Sequence, residues 1–183
     1  MNTIHIQYYK SPVGELILGA YGDKLCLADW RYRKTRRSID NRLTKGLNAT
    51  YIEEDSEVLQ LTRKQFEEYF QGLRQTFDVP LLTVGTEFQK SVWQGLLELP
   101  FGTTASYLEL AKRIGNEKAV RAVASAVGAN AISIFIPCHR IIGSDGSLTG
   151  YAGGLEVKKK LLALEQNIGR KKNEFKPIAP YSR

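Results

Sequence analysis

The sequence predicts an α+β protein, a β-sheet domain followed by a mostly helical one. The first third alternates apolar and polar residues at a period of two, as half-buried strands do. From Ser56 the apolar period becomes helical, and beyond Gly85 short helical patterns follow one another, separated by Gly and Pro. The chain has 183 residues, 43% of them apolar, enough for a core that needs no disulfide or metal staples.

Ile4, Ile6 and Tyr8 alternate in a first strand. Glu15–Ala20 and Lys24–Trp30 flank Tyr21-Gly22-Asp23, a hairpin signal with Gly available for positive φ. Cys26 lies inside the second of these strands and reads as a packed, structural thiol. Arg31–Arg37 holds five basic residues in seven and reads as a surface loop, offset by the acidic Glu53–Glu57 run. Leu59, Phe66, Tyr69, Phe70 and Leu73 form a helical stripe ending near Gly72. Asp78-Val79-Pro80 and Gly85 then mark a boundary, giving domains at 1–80 and 85–169 and a basic tail at 170–183.

In the second domain Thr86 is placed to cap a helix carrying Phe88, Val92, Leu96 and Leu99, stopped by Pro100. Thr104–Ile114 and Glu117–Val127, joined by Gly115-Asn116, have the form of a helix-turn-helix. Val120, Val123, Ala124 and Val127 would be buried. The other face offers Ala119, Ala122, Ser125 and Ala126, with Arg121 the one long charged side chain beyond Lys118. Such a face permits close approach of a partner; a packing helix with a solvated arginine is the alternative.

Ile132–Ile136 is an apolar extended run interrupted at Pro137-Cys138-His139-Arg140 and resumed by Ile141-Ile142. Neighbours on a regular strand point to opposite faces, whereas a turn after Pro137 lets Cys138 and His139 share one cavity. A thiol is a strong nucleophile only as thiolate, and an imidazole is a usual device for taking its proton. Glu165 sits on the apolar stripe Val157, Leu161, Leu164, Ile168, so it faces inward and needs a partner, either the imidazole or a Lys or Arg. Gly150-Tyr151-Ala152-Gly153-Gly154 is a loop whose backbone N–H groups can approach a ligand.

Charge and composition set limits. Twenty-six Lys and Arg against nineteen Asp and Glu give +7, with +6 in residues 85–183 and +4 of that after Gly169. A polyanionic partner fits this, with a shallow salt dependence, since residues 85–169 carry only about +2. Two Cys and two His exclude a disulfide framework and make a structural zinc site improbable. No apolar run approaches the ~20 residues of a membrane span, and Met1–Lys10 lacks the plan of a signal peptide. A cytoplasmic protein is expected, nucleoid-associated if bacterial.

Taken together, these residues resemble the O6-alkylguanine-DNA alkyltransferases (methylated-DNA–protein-cysteine methyltransferases). The likeness rests on Gly85-Thr86-Glu87-Phe88-Gln89, Val92-Trp93, Pro100-Phe101-Gly102, Ser106-Tyr107, Arg121 and Asn130, then Pro137-Cys138-His139-Arg140 with Ile141, then Tyr151-Ala152-Gly153-Gly154. It spans about Gly85 to Gln166. The first 80 residues are similar, less specifically, to the family's ribonuclease-H-like N-terminal domain.

The resemblance implies direct-reversal DNA repair. Cys138 would take the alkyl group from guanine O6, with O4-alkylthymine a further possible substrate, and would keep it as a thioether. His139 would act as base through a water, Glu165 would orient it, Tyr107 would donate to the departing guanine, and Asn130 would brace the turn. Carbonyls of Cys138 and Ile141 and the Ala152 N–H would contact the base; Trp93, Tyr151 and Gly153 complete the expected pocket. The second helix of the helix-turn-helix would enter the minor groove of double-stranded DNA without reading sequence. Ala119, Ala122 and Ser125 would lie against the groove. Arg121 would fill the stack after base flipping, and Lys112, Arg113 and Lys118 would contact phosphates. No cofactor and no metal are implied, and a monomer is expected. A damage sensor or helix-turn-helix regulator without chemistry is the alternative; Cys138 argues against it.

Overall fold

The computed structural model describes residues 2–174. Its N-terminal half is a four-stranded sheet of order β3-β2-β1-β4, built from β1 (Asn2–Ser11), β2 (Gly14–Tyr21), β3 (Lys24–Trp30) and β4 (Ala49–Glu53). β1 and β2 pair antiparallel with Tyr8 opposite Ile17, β2 and β3 antiparallel with Leu18 opposite Ala28, and β4 runs parallel to β1. The β2–β3 hairpin turns at Gly22, whose φ of +61° suits glycine.

Both faces of the sheet are covered, so β2 reads as a nearly continuous apolar run. Ile4, Ile6, Ile17 and Cys26 pack with Ile39 and Leu43 of α1 (Arg36–Leu47). Leu16, Leu18 and Ala20 pack toward α2 (Glu57–Phe70) and the second domain. Helix α2 stops at Phe70, and Leu73, expected on its buried stripe, is 75% exposed. A glycine at 72 with φ +78° turns the chain before Leu73 can follow the helix.

The helical half contains α3 (Glu87–Leu97), α4 (Tyr107–Arg113), α5 (Val120–Gly128) and α6 (Leu155–Glu174), with a two-stranded parallel pair, β5 (Ala105–Ser106) and β6 (Ile141–Ile142). Helix α3 opens with a reciprocal capping box between Thr86 and Gln89. Helix α4 is shorter than the Thr104–Ile114 pattern because Ala105 and Ser106 are drawn into pairing with Ile141 and Ile142. Residues Glu117–Ala119 form a 3₁₀ turn before α5. The first residues of the expected basic tail, through Glu174, continue α6, and its remainder lies outside the described residues.

The two halves are stitched through the edge of the sheet. β3 bonds the linker through Leu25 N to Pro80 O (2.8 Å) and Leu82 N to Leu25 O (2.9 Å). It bonds the segment before the signature through Ala28 N to Ala131 O (2.9 Å) and Ser133 N to Ala28 O (2.6 Å). Thus Ile132–Ile136 is not the continuous strand its composition suggests. Ile132 bridges to Ala28, then the chain turns back on itself, with Ile134 at φ +73°. That conformation is strained for a β-branched residue, and the flanking bonds to β3 and Asn130 hold it.

Candidate active site

Pro137 ends the turn, and Cys138–Arg140 form a single 3₁₀ turn before β6. This geometry, unlike a strand, gathers Cys138, His139 and Arg140 in one buried region; all three are less than 7% exposed. Asn130 braces it. Its Nδ2 donates to Ile136 O (2.9 Å) and to Cys138 Sγ (3.2 Å), while its Oδ1 accepts from Ile132 N (3.0 Å).

Behind the cysteine is a dense ionic cluster. His139 Nε2 lies 2.6 Å from Glu165 Oε2, and Arg140 donates to both carboxylate oxygens, Nε to Oε1 at 2.8 Å and Nη2 to Oε2 at 3.1 Å. The Tyr69 hydroxyl donates to Oε2 at 2.7 Å, and the Gly102 N–H to Oε1 at 3.3 Å. Burial opposes ionisation of Glu165, yet the bonds from His139 and Arg140 outweigh it and hold the carboxyl far below the usual range. An ionised Glu165 fixes the proton of neutral His139 on Nε2, and burial lowers the imidazole's pKa against the pull of Glu165. Nδ1 is left buried and without a partner among the described residues, available to accept a proton.

Cys138 is not pre-ionised. Burial pushes its pKa up, and the bond from Asn130 offsets that only in part. Burial also pushes Cys26 up, to about 12. Iodoacetamide is therefore expected to label Cys138 slowly at neutral pH, with a rate that keeps rising beyond pH 9, and to leave Cys26 essentially untouched. A plateau of Cys138 labelling near pH 7 would show a thiolate already formed.

Cys138 borders a cavity of about 210 Å³ lined also by Tyr107, Ala124, Val127, Gly128, Asn130, Gly150, Tyr151 and Ala152. That is below the ~300–1,000 Å³ of typical small-molecule sites and suits a single flat ring system. Tyr107 shares a hydrogen bond with Thr149 (hydroxyl to hydroxyl, 2.9 Å), and the buried Lys158 Nζ donates to Thr149 O (3.3 Å). A larger hollow of about 590 Å³ lies across the Tyr151–Gly154 loop but has no cysteine or histidine in its lining.

Three expected pocket residues are placed elsewhere. Trp93 is in the core, its indole N–H bonded to Ala126 O at 2.8 Å; its bulk and donor are satisfied there, away from Cys138. Gly153 lies against the Trp30 ring, where a Cβ would come within 2.7 Å, so it seats the loop and does not line the cavity. The Ile141 side chain is fully buried in β6 and is not part of the cavity wall; the expected contact there is its backbone carbonyl. Cys138 O already accepts from the Ile141 N–H and has one lone pair left.

One side of helix α5 walls the cavity through Ala124, Val127 and Gly128, and another is open. Lys118, Arg121, Ala122 and Ser125 are exposed and Ala119 is half-buried, whereas Ala126, expected on this face, is buried against α3. Arg121, Arg113 and Lys118 make no ion pair among the described residues, while Lys112 lies 3.9 Å from Glu117. The C-terminal carbonyls of α5 are capped by the first domain: Arg33 donates to Gly128 O (2.7 Å) and Arg42 to Ala129 O (2.7 Å). Arg33 and Arg36 also pair with the fully buried Asp29, so two of the five basic residues of the Arg31–Arg37 run face inward, while Lys34 and Arg37 are exposed as expected of a surface run. Among the described residues no group of three or more His, Cys, Asp or Glu is arranged to hold a metal ion, and no helix is long and apolar enough to cross a membrane.

Sequence reasoning missed Tyr69, Arg140, Thr149 and Lys158. Lys158 had a signal: Lys158, Leu161, Leu162 and Glu165 fall at i, i+3, i+4 and i+7, one face of a helix. Tyr69 had none, because its partner is 96 residues away.

Known proteins resemble this chain along most of its length. Residues 4–83 match the model of the 6-O-methylguanine DNA methyltransferase ribonuclease-like domain, and residues 87–167 that of the same enzyme's DNA-binding domain. A methylated-DNA–protein-cysteine methyltransferase of Haemophilus influenzae is 43% identical over 91% of this chain and 88% of its own. One from Methanosarcina mazei is 54% identical over 86% and 94%. The crystal structure of Mycobacterium tuberculosis OGT in complex with DNA superimposes with a TM-score of 0.77 at 37% identity, covering 90% of this chain and 94% of that one. With both halves matched in order and such similarity along nearly its whole length, the chain belongs to the 6-O-methylguanine DNA methyltransferase family.

Proposed function

We infer that the protein repairs O6-alkylguanine in DNA by moving the alkyl group onto its own Cys138, each molecule acting once. The observation that carries this is the position of Cys138 on the wall of a base-sized cavity that Ala124, Val127 and Gly128 of α5 also line, with the neighbouring His139 bonded to Glu165. His139 Nδ1 takes the thiol proton through a bridging water. The thiolate attacks the alkyl carbon, the S–C bond forms as the O6–C bond breaks, and the guanine leaves with a proton supplied by Tyr107. Glu165 stabilises the imidazolium, and Asn130 holds the sulfur in place. The Ala152 N–H reaches O6, while carbonyls of Cys138 and Ile141 receive the exocyclic amine.

Helix α5 docks in the minor groove of duplex DNA. Ala119, Ala122 and Ser125 allow close approach, Lys112, Arg113 and Lys118 reach phosphates, and Arg121 enters the stack when the damaged base flips out. The first domain, through residue 80, and the second, from residue 85, act as one unit, as a monomer and in the cytoplasm where DNA is its substrate. A sensor without chemistry is not favoured, since the acceptor thiol is present and braced.

The test is mass spectrometry after incubation with an O6-methylguanine duplex. The Cys138 peptide should gain the mass of one methylene (CH₃ replacing H), with the adduct stopping at one equivalent. Tight binding with no adduct would overturn the repair reading in favour of a sensor, and release of a modified product with repeated turnover would mark a hydrolase.

A further inference from the structure

We propose that Tyr69, on a helix of the N-terminal domain, is a positioning residue for alkyl transfer that sets the strength of the Glu165–His139 hydrogen bond. This rests on the repair reading above, and adds to it that the first domain supplies part of the relay.

The geometry is specific. Tyr69 and Glu165 are both fully buried, and among the described residues the tyrosine hydroxyl has a single partner, Glu165 Oε2, at 2.7 Å. The same oxygen receives His139 Nε2 at 2.6 Å and Arg140 Nη2 at 3.1 Å. A carboxylate oxygen offers about two lone-pair directions, so three donors share its charge and each weakens the others. The ring itself is held by Phe70, Phe77 and Phe101, at centroid distances of 5.2, 5.6 and 6.2 Å. Packing would be served equally by phenylalanine; only the hydroxyl reaches the relay. The charged and titratable groups that bear on Tyr69, Glu165 and His139 are Arg140 from the signature turn, Lys158 from α6 and Tyr151 from the loop before it, with the Gly102 N–H from the loop after α3.

Removing the hydroxyl leaves more of the Oε2 charge to His139. In Tyr69→Phe the imidazolium is therefore better stabilised, and the acid limb of the pH–rate profile moves upward by roughly half a unit to one unit. The His139 Nε2–H proton resonance should move downfield as its bond to Glu165 tightens. Site-specific 3-fluorotyrosine at position 69, a stronger donor, should move both readouts the opposite way. The chain has only two histidines, so a His5→Gln variant identifies the His139 signal.

The experiment measures that resonance and the single-turnover transfer rate across pH in the intact protein and both variants. Opposite displacements for phenylalanine and fluorotyrosine support the proposal. A lowered Tm with an unmoved resonance and an unmoved acid limb overturns it, leaving Tyr69 a packing residue. If Tyr69→Phe does not fold, the fluorotyrosine protein decides alone, and an unmoved resonance again overturns the idea. If the wild-type chain takes up no methyl group, the repair reading has failed separately, and the resonance still decides on Tyr69.

Discussion

Glu165→Gln should slow alkyl transfer by roughly a hundred- to ten-thousandfold while leaving affinity for duplex DNA nearly unchanged. Glutamine keeps the shape of the side chain but turns one acceptor into a donor. If its NH₂ faces His139 Nε2, the imidazole must move its proton to Nδ1, the nitrogen needed to accept from the thiol. If its oxygen faces His139 instead, the NH₂ meets Arg140 Nε, two donors in a buried space. Either way the imidazolium loses its counter-charge. The measurement is the single-turnover rate beside a DNA-binding isotherm, and an unchanged rate would remove Glu165 from the relay.

The same variant should lose about 3–5 kcal/mol of stability near neutral pH, because Arg140 remains buried without a charged partner. The folded carboxyl titrates below its unfolded value, so its stabilisation is complete above about pH 5 and is lost as pH falls through the folded pKa. The gap between wild type and Glu165→Gln should therefore narrow between pH 5 and 2 in denaturant titrations. A gap constant with pH would place the loss in packing.

Why Glu165 and His139 were legible in the sequence while Tyr69 and Arg140 were not is a matter of range. A carboxylate on an apolar helical stripe announces a buried partner, and the stripe is local. Capping of α3 by Thr86 and Gln89 and the Gly22 hairpin are likewise set within a few residues. Helix α1 escaped because Arg36–Leu47 buries only Ile39 and Leu43, so its polar composition hid a two-residue seam against the sheet. The arginines on and before it looked solvated since nothing nearby shows that Asp29, in the middle of a strand pattern, is fully buried and binds two of them. Ile132–Ile136 carried a strand composition, but its bonds to β3 and Asn130 make a turn there, and these are tertiary. Ala126 and Trp93 were assigned to the wrong surroundings for one reason: each satisfies the other across the α3–α5 contact, which no single helix displays.

Arg121→Ala should reduce repair of duplex O6-methylguanine by roughly ten- to a hundredfold, within the few kcal/mol that extruding a base requires. The side chain is exposed on α5, without an ion pair among the described residues, so its removal costs the fold little. The helix stays anchored by Arg33 and Arg42 at its C-terminal carbonyls and by Val123, Ala126 and Val127 in the core. Free O6-methylguanine base needs no flipping, and its reaction with Cys138 should fall far less. Equal losses on duplex and free base would contradict a role in extrusion and point to a disturbed cavity. The contrast is readable because α5 performs two tasks with different faces. Ala124, Val127 and Gly128 form the cavity wall beside Cys138, while Arg121 and Ser125 look outward. A change at position 121 touches the outward task alone, and a change at 124 or 127 the cavity wall.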